Sequence, residues 1–266
     1  MSRKQKFAKK SLGQNFLNSG EIRDKILKAA GNIEGKNILE IGPGLGFLTT
    51  KLMALKANVT AIEIDHRSCE ILKRDFKQKK NLKIIEGDIL EEDLDSLFEQ
   101  KKYSIIANIP YNITSHLLRK ILSESENKPE ECIFMIQYEV AKKITDPKKK
   151  SLLSLSVEMF SQSNILFLVP KENFTPIPKV NSAVIKLTIR EKPFVEKSME
   201  KDFFRVVHAG FSQKRKKLGN TLPVFLGLSK EQILGEVDGN RRPETLSIEE
   251  WKMITQNFQK FARKEK

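Results

Sequence analysis

Short apolar runs alternate with amphipathic stretches along the first two thirds of the chain. Seven runs rich in Ile, Val and Leu predict strands at 37–41, 58–64, 82–85, 103–107, 131–138, 164–169 and 182–189. Apolar residues at helical spacing fall between several of them, as at 47–55 and 66–76. This alternation predicts a mostly parallel sheet with helices on both faces. The last two runs have no helical segment between them, which indicates an antiparallel hairpin at one edge.

The pattern changes near residues 191–199, which read as a linker. Beyond it only helical spacing remains, as in the stripe of Trp251, Ile254, Phe258 and Phe261. Such a stripe is typical of a packed core rather than of a ligand site. The sequence therefore predicts two domains, an α/β domain over 1–190 with a basic N-terminal arm and a small all-helical domain over 191–266.

The charge of the chain narrows the kind of partner. Its 266 residues include 48 Lys+Arg and 34 Asp+Glu, a formal net charge of +14. A positive field of this size favours a polyanion, above all a nucleic acid, because each neutralised phosphate releases counterions. A basic protein that is merely soluble and one that binds an anionic membrane surface are the alternatives that charge leaves open.

Several classes of protein are disfavoured by residues that are few or scattered. Cys69 and Cys132 are far apart, and His66, His116 and His208 are dispersed, so neither a disulfide framework nor a metal site is expected. No apolar run approaches the roughly 18 residues of a membrane helix. The basic N-terminus is not followed by the apolar segment of a secretory signal. We therefore expect a cytoplasmic protein without metal.

The clearest chemical signal is a glycine-rich turn after the first strand. In ILEIGPGLGFLT, Gly42, Gly44 and Gly46 stand between a strand and a helix, where backbone can approach a ligand closely. Dinucleotide sites use G-x-G-x-x-G, but here Phe47 occupies the position of the last glycine. The spacing G-x-G-x-G resembles the first motif of S-adenosylmethionine-dependent methyltransferases. An ordinary strand–helix turn is the alternative.

Two acids follow the next two strands. Glu63 ends the second strand, 21 positions after Gly42, where a carboxylate can accept hydrogen bonds from both ribose hydroxyls. Asp88 follows the third strand, where a carboxylate can accept from an adenine amino group. Either acid alone would be an ordinary surface residue. Because parallel strands end at the same edge of a sheet, the acids and the glycines together predict one ligand site.

The fourth strand ends in N-I-P-Y, Asn108 to Tyr111. This motif is similar to the catalytic motif of methyltransferases that modify exocyclic amino groups such as N6 of adenine. The N6 lone pair is delocalised into the ring, so acceptors aimed at the two amino hydrogens favour attack on a methyl group. The Asn108 amide oxygen and the Ile109 carbonyl are such acceptors, Pro110 stiffens the turn and Tyr111 offers a face for an extruded base. The alternative is a strand-end turn with a buried tyrosine.

Further motifs widen the resemblance to nearly the full length. They are KSLGQNFL (10–17), EIGPGLG (40–46), EID (63–65), GDIL (87–90), NIPYNIT (108–114), FTPIPKVNSAVIKL (174–187) and RPETLS (242–247). In this order they resemble the KsgA-type ribosomal RNA adenine dimethyltransferase family. The family departs from this chain at QYE (137–139) and at KSLLSLSV (150–157), a segment expected to form a loop near RNA.

The resemblance implies an activity and its partners. It implies a Rossmann-like class I methyltransferase sheet, S-adenosylmethionine as methyl donor and no metal. The implied reaction is N6,N6-dimethylation of two adjacent adenines in the 3′-terminal hairpin of 16S rRNA, in the small ribosomal subunit or its precursor. The protein is then a cytoplasmic monomer, with residues 191–266 as an RNA- and ribosome-binding domain.

The resemblance also assigns residues to roles. The implied cofactor residues are Asn15, Leu17, Gly42, Glu63, Asp88 and Asn108. Phe174 is implied as a second stacking aromatic, facing Tyr111 across the target base, although a Phe in a proline-rich loop is more often a packing residue. The run Lys214, Arg215, Lys216 and Lys217 is implied to contact RNA phosphates, although one basic cluster is most often a solvated face.

Three other functions remain as alternatives. One is a 23S rRNA adenine N6-methyltransferase of the macrolide-resistance type, which usually lacks the G-P-G-L-G and L-G-Q-N-F-L forms found here. Another is a non-catalytic ribosome assembly factor on the same fold, against which the intact Asn108 and Tyr111 argue. A dinucleotide oxidoreductase is disfavoured by Phe47.

Overall fold

The computed structural model describes residues 7–213 and 215–262, with the side chain of Lys10 left out. These residues fall into two units. The first contains the described residues up to Lys142 together with Ser163–Ile189, and the second contains Lys143–Gln162 together with the described residues from Arg190 on.

The first unit is built on a seven-stranded sheet. The strands of the protein are β1 (Phe16–Leu17), β2 (Asn37–Ile41), β3 (Asn58–Glu63), β4 (Leu82–Glu86), β5 (Ser104–Asn108), β6 (Glu131–Gln137), β7 (Ser161–Val169), β8 (Phe174–Thr175) and β9 (Ser182–Ile189). The order in the large sheet is β4-β3-β2-β5-β6-β9-β7. All seven predicted strands are present, and the prediction of a mostly parallel sheet is confirmed.

The register of the sheet brings the ends of the parallel strands together. β2 pairs in parallel with β3 and with β5, and β4 and β6 extend the parallel part on either side. β9 is antiparallel to β6, with Glu131 opposite Thr188 and Gln137 opposite Ser182. The strand order therefore reverses direction between β2 and β5, and ligands of open α/β sheets bind at the carboxyl edge of such a point.

Helices cover the sheet between the strands. They are α1 (Gly20–Ala30), α2 (Thr49–Ala54), α3 (His66–Asp75), α4 (Leu94–Phe98), α5 (Thr114–Arg119), which continues as a π-helix (Lys120–Glu124), and α6 (Tyr138–Thr145). Ser19 caps α1, and its side chain accepts from the Ile22 N–H, although the neighbouring Asn18 is a cap residue of similar quality. Asn18 Nδ2 donates to Thr175 Oγ1 at 2.5 Å, so a tertiary contact takes its side chain away from the helix.

A small second sheet joins distant parts of the chain. β1 and β8 pair antiparallel, with Phe16 opposite Thr175 and Leu17 opposite Phe174. The Asn18 N–H also donates to the Asn173 carbonyl at 2.8 Å. The N-terminal segment is thereby fixed to the first unit immediately before α1.

The second unit is helical, with α7 (Leu152–Phe160), α8 (Lys197–Phe211), α9 (Leu218–Leu226), α10 (Lys230–Leu234) and α11 (Ile248–Ala262). Reciprocal hydrogen bonds between Ser229 and Gln232 cap α10. Trp251, Ile254 and Phe258 are buried, so their stripe on α11 is core. No helix of the described ranges 7–213 and 215–262 is long and apolar enough to cross a membrane.

The units divide between Ile189 and Arg190, next to the predicted boundary at residue 190, but the helical unit also includes residues 143–162, which the prediction placed in the α/β domain. Residues 143–162 belong with the helices because α7 is joined to later segments of that unit. The Lys150 N–H donates to the Glu244 carbonyl at 2.8 Å, and the Phe194 N–H donates to the Met159 carbonyl at 2.7 Å. KSLLSLSV is consequently not the expected loop, since Ser151 caps α7 and the segment is helical from Leu152.

Candidate active site

A cavity of about 290 Å³ lies at the carboxyl edge of the parallel strands. Its wall is formed by the N-terminal segment and by the ends of β2, β3, β4 and β5. The lining residues are Ser11, Leu12, Gly13, Gln14, Asn15, Phe16, Ile41, Gly42, Gly44, Ile62, Glu63, Ile64, Gly87, Asp88, Ile89, Asn108, Ile109, Pro110, Tyr111, Asn112 and Ile113. This size is near the lower end of the range for small-molecule sites, about 300–1,000 Å³.

The glycine-rich turn contributes backbone to this cavity. Gly44 has φ +58°, a conformation that favours glycine, and its N–H donates to Glu63 Oε2 at 2.8 Å. A Cβ on Gly44 would lie 2.8 Å from the Phe16 ring, so the close approach of the N-terminal segment also needs glycine here. The turn is therefore held both to β3 and to the N-terminal segment.

Gly46 has a different task from the predicted one. It is not among the lining residues, and a Cβ at this position would lie 2.9 Å from the side chains of Leu72 and Phe76. Gly46 thus allows the turn to pack closely against α3. This role cannot be predicted from the local pattern, because only the packing of α3 distinguishes Gly46 from the other two glycines of the turn.

Glu63 is a buried carboxylate at the end of β3, with only 4% of its surface exposed. Its Oε1 accepts from the Asp65 N–H at 2.9 Å, and its Oε2 from Gly44. Burial raises the pKa of Glu63, and these two backbone donors act in the opposite direction. Each oxygen keeps a second lone pair, so the carboxylate can still accept from the hydroxyls of a ligand.

Asp88 supplies a second acceptor after β4. Its Oδ1 accepts from the Leu90 N–H at 2.9 Å, which fixes the side chain at the start of a turn. Across the part of the chain that the structure describes, no hydrogen bond reaches Oδ2. Asp88 therefore lines the cavity with one oxygen left to accept, and its contact with an amino group stays a prediction.

The four residues of N-I-P-Y all line the same cavity. Asn108 Nδ2 donates to the Asn15 carbonyl at 3.1 Å, so Oδ1 is the atom of the amide left to accept. The Ile109 N–H donates to the Met135 carbonyl at 3.1 Å, which ties the turn to β6. Asn108 thus lies beside the glycine-rich turn, the arrangement expected of an acceptor for a reacting amino group.

Tyr111 is half-buried and is held through its hydroxyl. The hydroxyl hydrogen-bonds to Ser182 Oγ at 2.7 Å, and Ser182 is fully buried at the start of β9. Burial raises the pKa of Tyr111, so the phenol stays neutral around neutral pH. With its edge anchored, the ring keeps one orientation in the cavity wall.

Besides Gly46, two further predicted site residues are not brought into the cavity. Phe174 and Leu17 are 1% and 7% exposed, and both pack in the hydrophobic core with Ile22, Met135 and Val184. The cause is the pairing of β1 with β8, which sets these two residues opposite each other. Phe174 therefore offers no face to a base in this structure, and the prediction of a second stacking wall is corrected to a packing role.

The N-terminal segment is the part of the site that the residue-by-residue reasoning missed. It was expected to be a basic arm, and only Asn15 and Leu17 were assigned to the site. Instead residues 11–16 form one side of the cavity. The signal in the sequence is the unbroken motif LGQNFL, of which Gly13 and Gln14 also line the cavity.

The predicted RNA-contact run lies in the helical unit. Arg215, Lys216 and Lys217 are exposed between α8 and α9, and Lys217 Nζ lies 3.2 Å from Asn240 Oδ1. Lys214 lies outside the described residues. Three exposed cations in a row suit contacts with phosphates, and their role in RNA binding stays a prediction.

The residues present suit S-adenosylmethionine. Glu63 and Asp88 offer carboxylate acceptors for the ribose and for the adenine amino group, and the turn at Gly42 and Gly44 presents backbone without side chains. Among the described residues no group of His, Cys, Asp and Glu side chains could hold a metal ion.

Several known proteins that are similar to this chain in sequence are ribosomal RNA methyltransferases by their names. A family model described as "Ribosomal RNA adenine dimethylase" matches residues 5–260. A protein named "Ribosomal RNA small subunit methyltransferase A" from Dehalococcoides mccartyi is 40% identical over 254 residues, covering 93% of this chain and 87% of the relative. One of the same name from Enterococcus faecalis is 37% identical over 268 residues, covering 95% of this chain and 90% of the relative.

A solved structure agrees in fold. The crystal structure of a dimethyladenosine transferase from Plasmodium falciparum superposes with a TM-score of 0.80 at 26% sequence identity. The match covers 92% of this chain and 98% of that chain. Both the sheet and the helical region thus have counterparts in a methyltransferase.

Proposed function

The chain belongs to the ribosomal RNA adenine dimethylase family, and from that premise we propose that it dimethylates N6 of two adjacent adenines in the 3′-terminal hairpin of 16S rRNA. The methyl donor is S-adenosylmethionine. The observation that carries the proposal is Asn108, whose Nδ2 is engaged by the Asn15 carbonyl while its Oδ1 is left as an acceptor in the cavity.

The residues that would hold the donor are those around the cavity. Glu63 accepts from its ribose hydroxyls, Asp88 Oδ2 accepts from its adenine amino group, and Gly42 and Gly44 let its body lie against backbone. When bound, S-adenosylmethionine supplies a methyl group on a positively charged sulfur. The wall of residues 11–16 would lie against the bound donor on one side of the cavity.

Asn108 and Ile109 prepare the target nitrogen. Hydrogen bonds from the two N6 hydrogens to Asn108 Oδ1 and to the Ile109 carbonyl draw these hydrogens to one side. The lone pair of N6 is then less delocalised into the ring, so the nitrogen becomes a better nucleophile. Both acceptors are uncharged, so neither takes the proton permanently, and it leaves to water after transfer.

Tyr111 orients the base that carries this nitrogen. An adenine must leave its stack to reach a cavity of this kind, and an aromatic face recovers part of the stacking energy. The hydrogen bond to Ser182 fixes the plane of the ring. The two hydrogen-bond acceptors and the ring together define where N6 lies.

The partner is 16S rRNA within the small subunit or its precursor. The protein binds it as a monomer in the cytoplasm. Residues 191–266 serve as the RNA- and ribosome-binding domain, with Lys214, Arg215, Lys216 and Lys217 on phosphates. The exposed positions of Arg215 to Lys217 and the small-subunit name of the relatives support this.

One experiment tests the target directly. The protein and labelled S-adenosylmethionine are incubated separately with unmethylated small subunits, mature large subunits and naked 16S rRNA, and products are mapped by mass spectrometry. We expect dimethyladenosine at two adjacent positions near the 3′ end of 16S rRNA. Asn108→Ala serves as the control and should lower kcat about 100-fold.

Label confined to large-subunit RNA would instead support an enzyme of the macrolide-resistance type. Failure to bind S-adenosylmethionine in calorimetric titration, combined with tight binding to small subunits, would support a non-catalytic assembly factor.

A further inference from the structure

Asp65 is a buried carboxylate for which the proposed reaction has no use. It is 2% exposed, stands two residues after Glu63 and caps α3, and it is not among the described residues that line the cavity. Hydrogen bonds and the charge of Arg67 lower its pKa to about 2, so it is ionised at every physiological pH. A buried charge of this kind needs partners that compensate it. One of the partners of Asp65, Gln14, belongs to the cavity wall.

Asp65 gathers side chains from two parts of the chain. The Arg67 guanidinium donates to both of its oxygens, with Nη2 at 2.6 Å from Oδ2. Gln14 Nε2 donates to Oδ2 at 3.0 Å, and Lys9 Nζ lies 3.7 Å from Oδ1. We name these four residues, Lys9, Gln14, Asp65 and Arg67, the clasp.

The clasp joins residues of the N-terminal segment to one another and joins that segment to the start of α3. Gln14 Oε1 accepts from the Lys9 N–H at 2.8 Å, so both ends of the Gln14 amide are engaged. Arg67 Nη2 donates to the Phe7 carbonyl at 3.0 Å, and the guanidinium lies 4.3 Å from the centre of the Phe7 ring. Residues 7–14 are therefore held by Asp65 and Arg67 together.

Asn15 follows the clasp directly and precedes β1. The pairing of β1 with β8 holds the chain on its other side, at Phe16 and Leu17. The Asn15 carbonyl is thus fixed from both directions, and it is the acceptor for Asn108 Nδ2. An amide side chain can rotate to exchange its nitrogen and oxygen, and only a fixed partner decides which atom points where.

We infer that Asp65 is a positioning residue, which through Gln14 holds the Asn15 carbonyl so that Asn108 presents Oδ1, and not Nδ2, to the reacting amino group. The inference rests on the proposed function, because the orientation of Asn108 matters only where that oxygen accepts from N6. It assigns a role to the aspartate of EID and to the glutamine of QNFL, which the sequence left without one.

Gln14→Met is the sharpest probe, since methionine is similar in length but has neither donor nor acceptor. The matched control is Gln259→Met, because Gln259 Nε2 donates to Asp202 Oδ2 at 2.7 Å, the same pair of groups in the helical unit. Asp65→Asn is a second variant, which keeps an oxygen to cap α3 but loses the charge that holds Arg67.

The first measurement needs no activity. In the free protein, the side-chain amide signals of Asn108 are identified by their loss in Asn108→Asp and are followed by ¹⁵N–¹H spectroscopy. We expect these signals to shift in Gln14→Met and Asp65→Asn and to stay unchanged in Gln259→Met. Asn108 signals that do not move in a folded Gln14→Met protein would overturn the inference.

The second measurement is a double-mutant cycle on methyl transfer. Gln14→Met should lower kcat about fivefold, the loss expected for one misdirected hydrogen bond. In the Asn108→Asp background the same change should have no effect, because a carboxylate presents an acceptor in either rotamer. Equal losses in both backgrounds would mean that Gln14 acts independently of Asn108 and would overturn the inference.

The two measurements also separate this inference from the proposed function. A wild-type protein that transfers no methyl group to any ribosomal RNA contradicts the proposed function. The amide signals of Asn108 still report in that case whether the clasp sets the orientation of this side chain.

Discussion

At the scale of the residue, the ring and the hydroxyl of Tyr111 have separable tasks. Tyr111→Phe keeps the aromatic face but leaves the buried Ser182 Oγ without its partner. We expect the free energy of unfolding to fall by about 1–2 kcal/mol while methyl transfer stays within a few-fold. Tyr111→Ala removes the face and should weaken transfer by about 10- to 100-fold, as expected for one lost base stack.

Urea unfolding and single-turnover methylation measure these two effects. A folded Tyr111→Phe protein without activity would mean that the hydroxyl itself takes part in the reaction. Full activity of Tyr111→Ala would mean that the base is oriented by other groups.

Glu40 makes stability depend on pH. It is 2% exposed in β2, and across ranges 7–213 and 215–262 nothing hydrogen-bonds to its Oε2. Burial raises its pKa from 4.5 to about 8. Between these values the folded state binds a proton that the unfolded state has lost. Its contribution to stability therefore falls by about 1.4 kcal/mol for each unit of rising pH and levels off above about pH 8.

Glu40→Gln should remove this dependence, because an amide does not titrate. Unfolding followed from pH 5 to pH 9 should give a flatter profile for the variant, with its largest gain over wild type at the alkaline end. The exposed Glu91 provides the control, and Glu91→Gln should leave the profile as it is. A Glu40→Gln profile that matches wild type would show that Glu40 is ionised in the folded protein.

At the scale of the element, two glycines of one turn should respond differently to the same change. Gly44 and Gly46 have φ +58° and +78°, so alanine at either costs about 1–2 kcal/mol in backbone strain. Gly44→Ala also pushes against Phe16 in the cavity wall, and should weaken binding of S-adenosylhomocysteine by about tenfold or more. Gly46→Ala pushes against Leu72 and Phe76, and should cost a further 1–3 kcal/mol or so of stability.

Calorimetric titration and thermal unfolding separate the two variants. Affinity in Gly46→Ala should stay within about threefold of wild type once the protein is folded, since its neighbours are not cavity residues. Equal losses of affinity in both variants would show that Gly46 contributes to cofactor binding.

The elements show what a local pattern can predict. β2 and β9 have the predicted bounds, because four of the five residues of β2 and five of the eight residues of β9 are buried, which gives each strand a clear hydrophobic signal. β7 begins at Ser161, three residues before the predicted start, since its first residues are polar and carry no hydrophobic signal. Asn18 and Ser19 are equally good caps by composition, and only the contact of Asn18 with Thr175 decides between them.

The residues in and around the cavity also differ in whether a local pattern can predict them. Glu63, Asp88 and Asn108 follow from their places at strand ends, since the topology alone brings such residues to one edge. The packing role of Phe174 cannot be predicted in this way, because its burial depends on the pairing of β8 with β1. Asp65 and Gln14 also escape local reasoning, since their contact spans 51 positions of the sequence.

At the scale of the whole molecule, affinity for the ribosome should depend on salt through the basic run of the helical unit. Substituting Arg215 and Lys216 by Gln should reduce the slope of log affinity against log salt concentration by about 0.7–0.9 for each lost phosphate contact. Binding to unmethylated small subunits between about 50 and 200 mM salt measures the slope.

The control for net charge is Lys77→Gln with Lys79→Gln, two exposed lysines after α3. This variant has the same net charge as the test variant and should keep the wild-type slope. Equal slopes for the test variant and wild type would show that Arg215 and Lys216 do not contact phosphates of the ribosome.

The pairing of β1 with β8 has a consequence for synthesis. Asn18 and Thr175 are 157 positions apart, and although the clasp can hold residues 7–14 once Asp65 and Arg67 exist, Phe16 and Leu17 have no partner strand until Thr175 exists. At about 5–20 residues per second, the nascent N-terminus waits roughly 8–30 s for its partner strand. A ribosome that is still translating this message therefore carries a chain whose cavity wall is not yet fixed at Phe16, and we expect the complete wall only after most of the chain has been made.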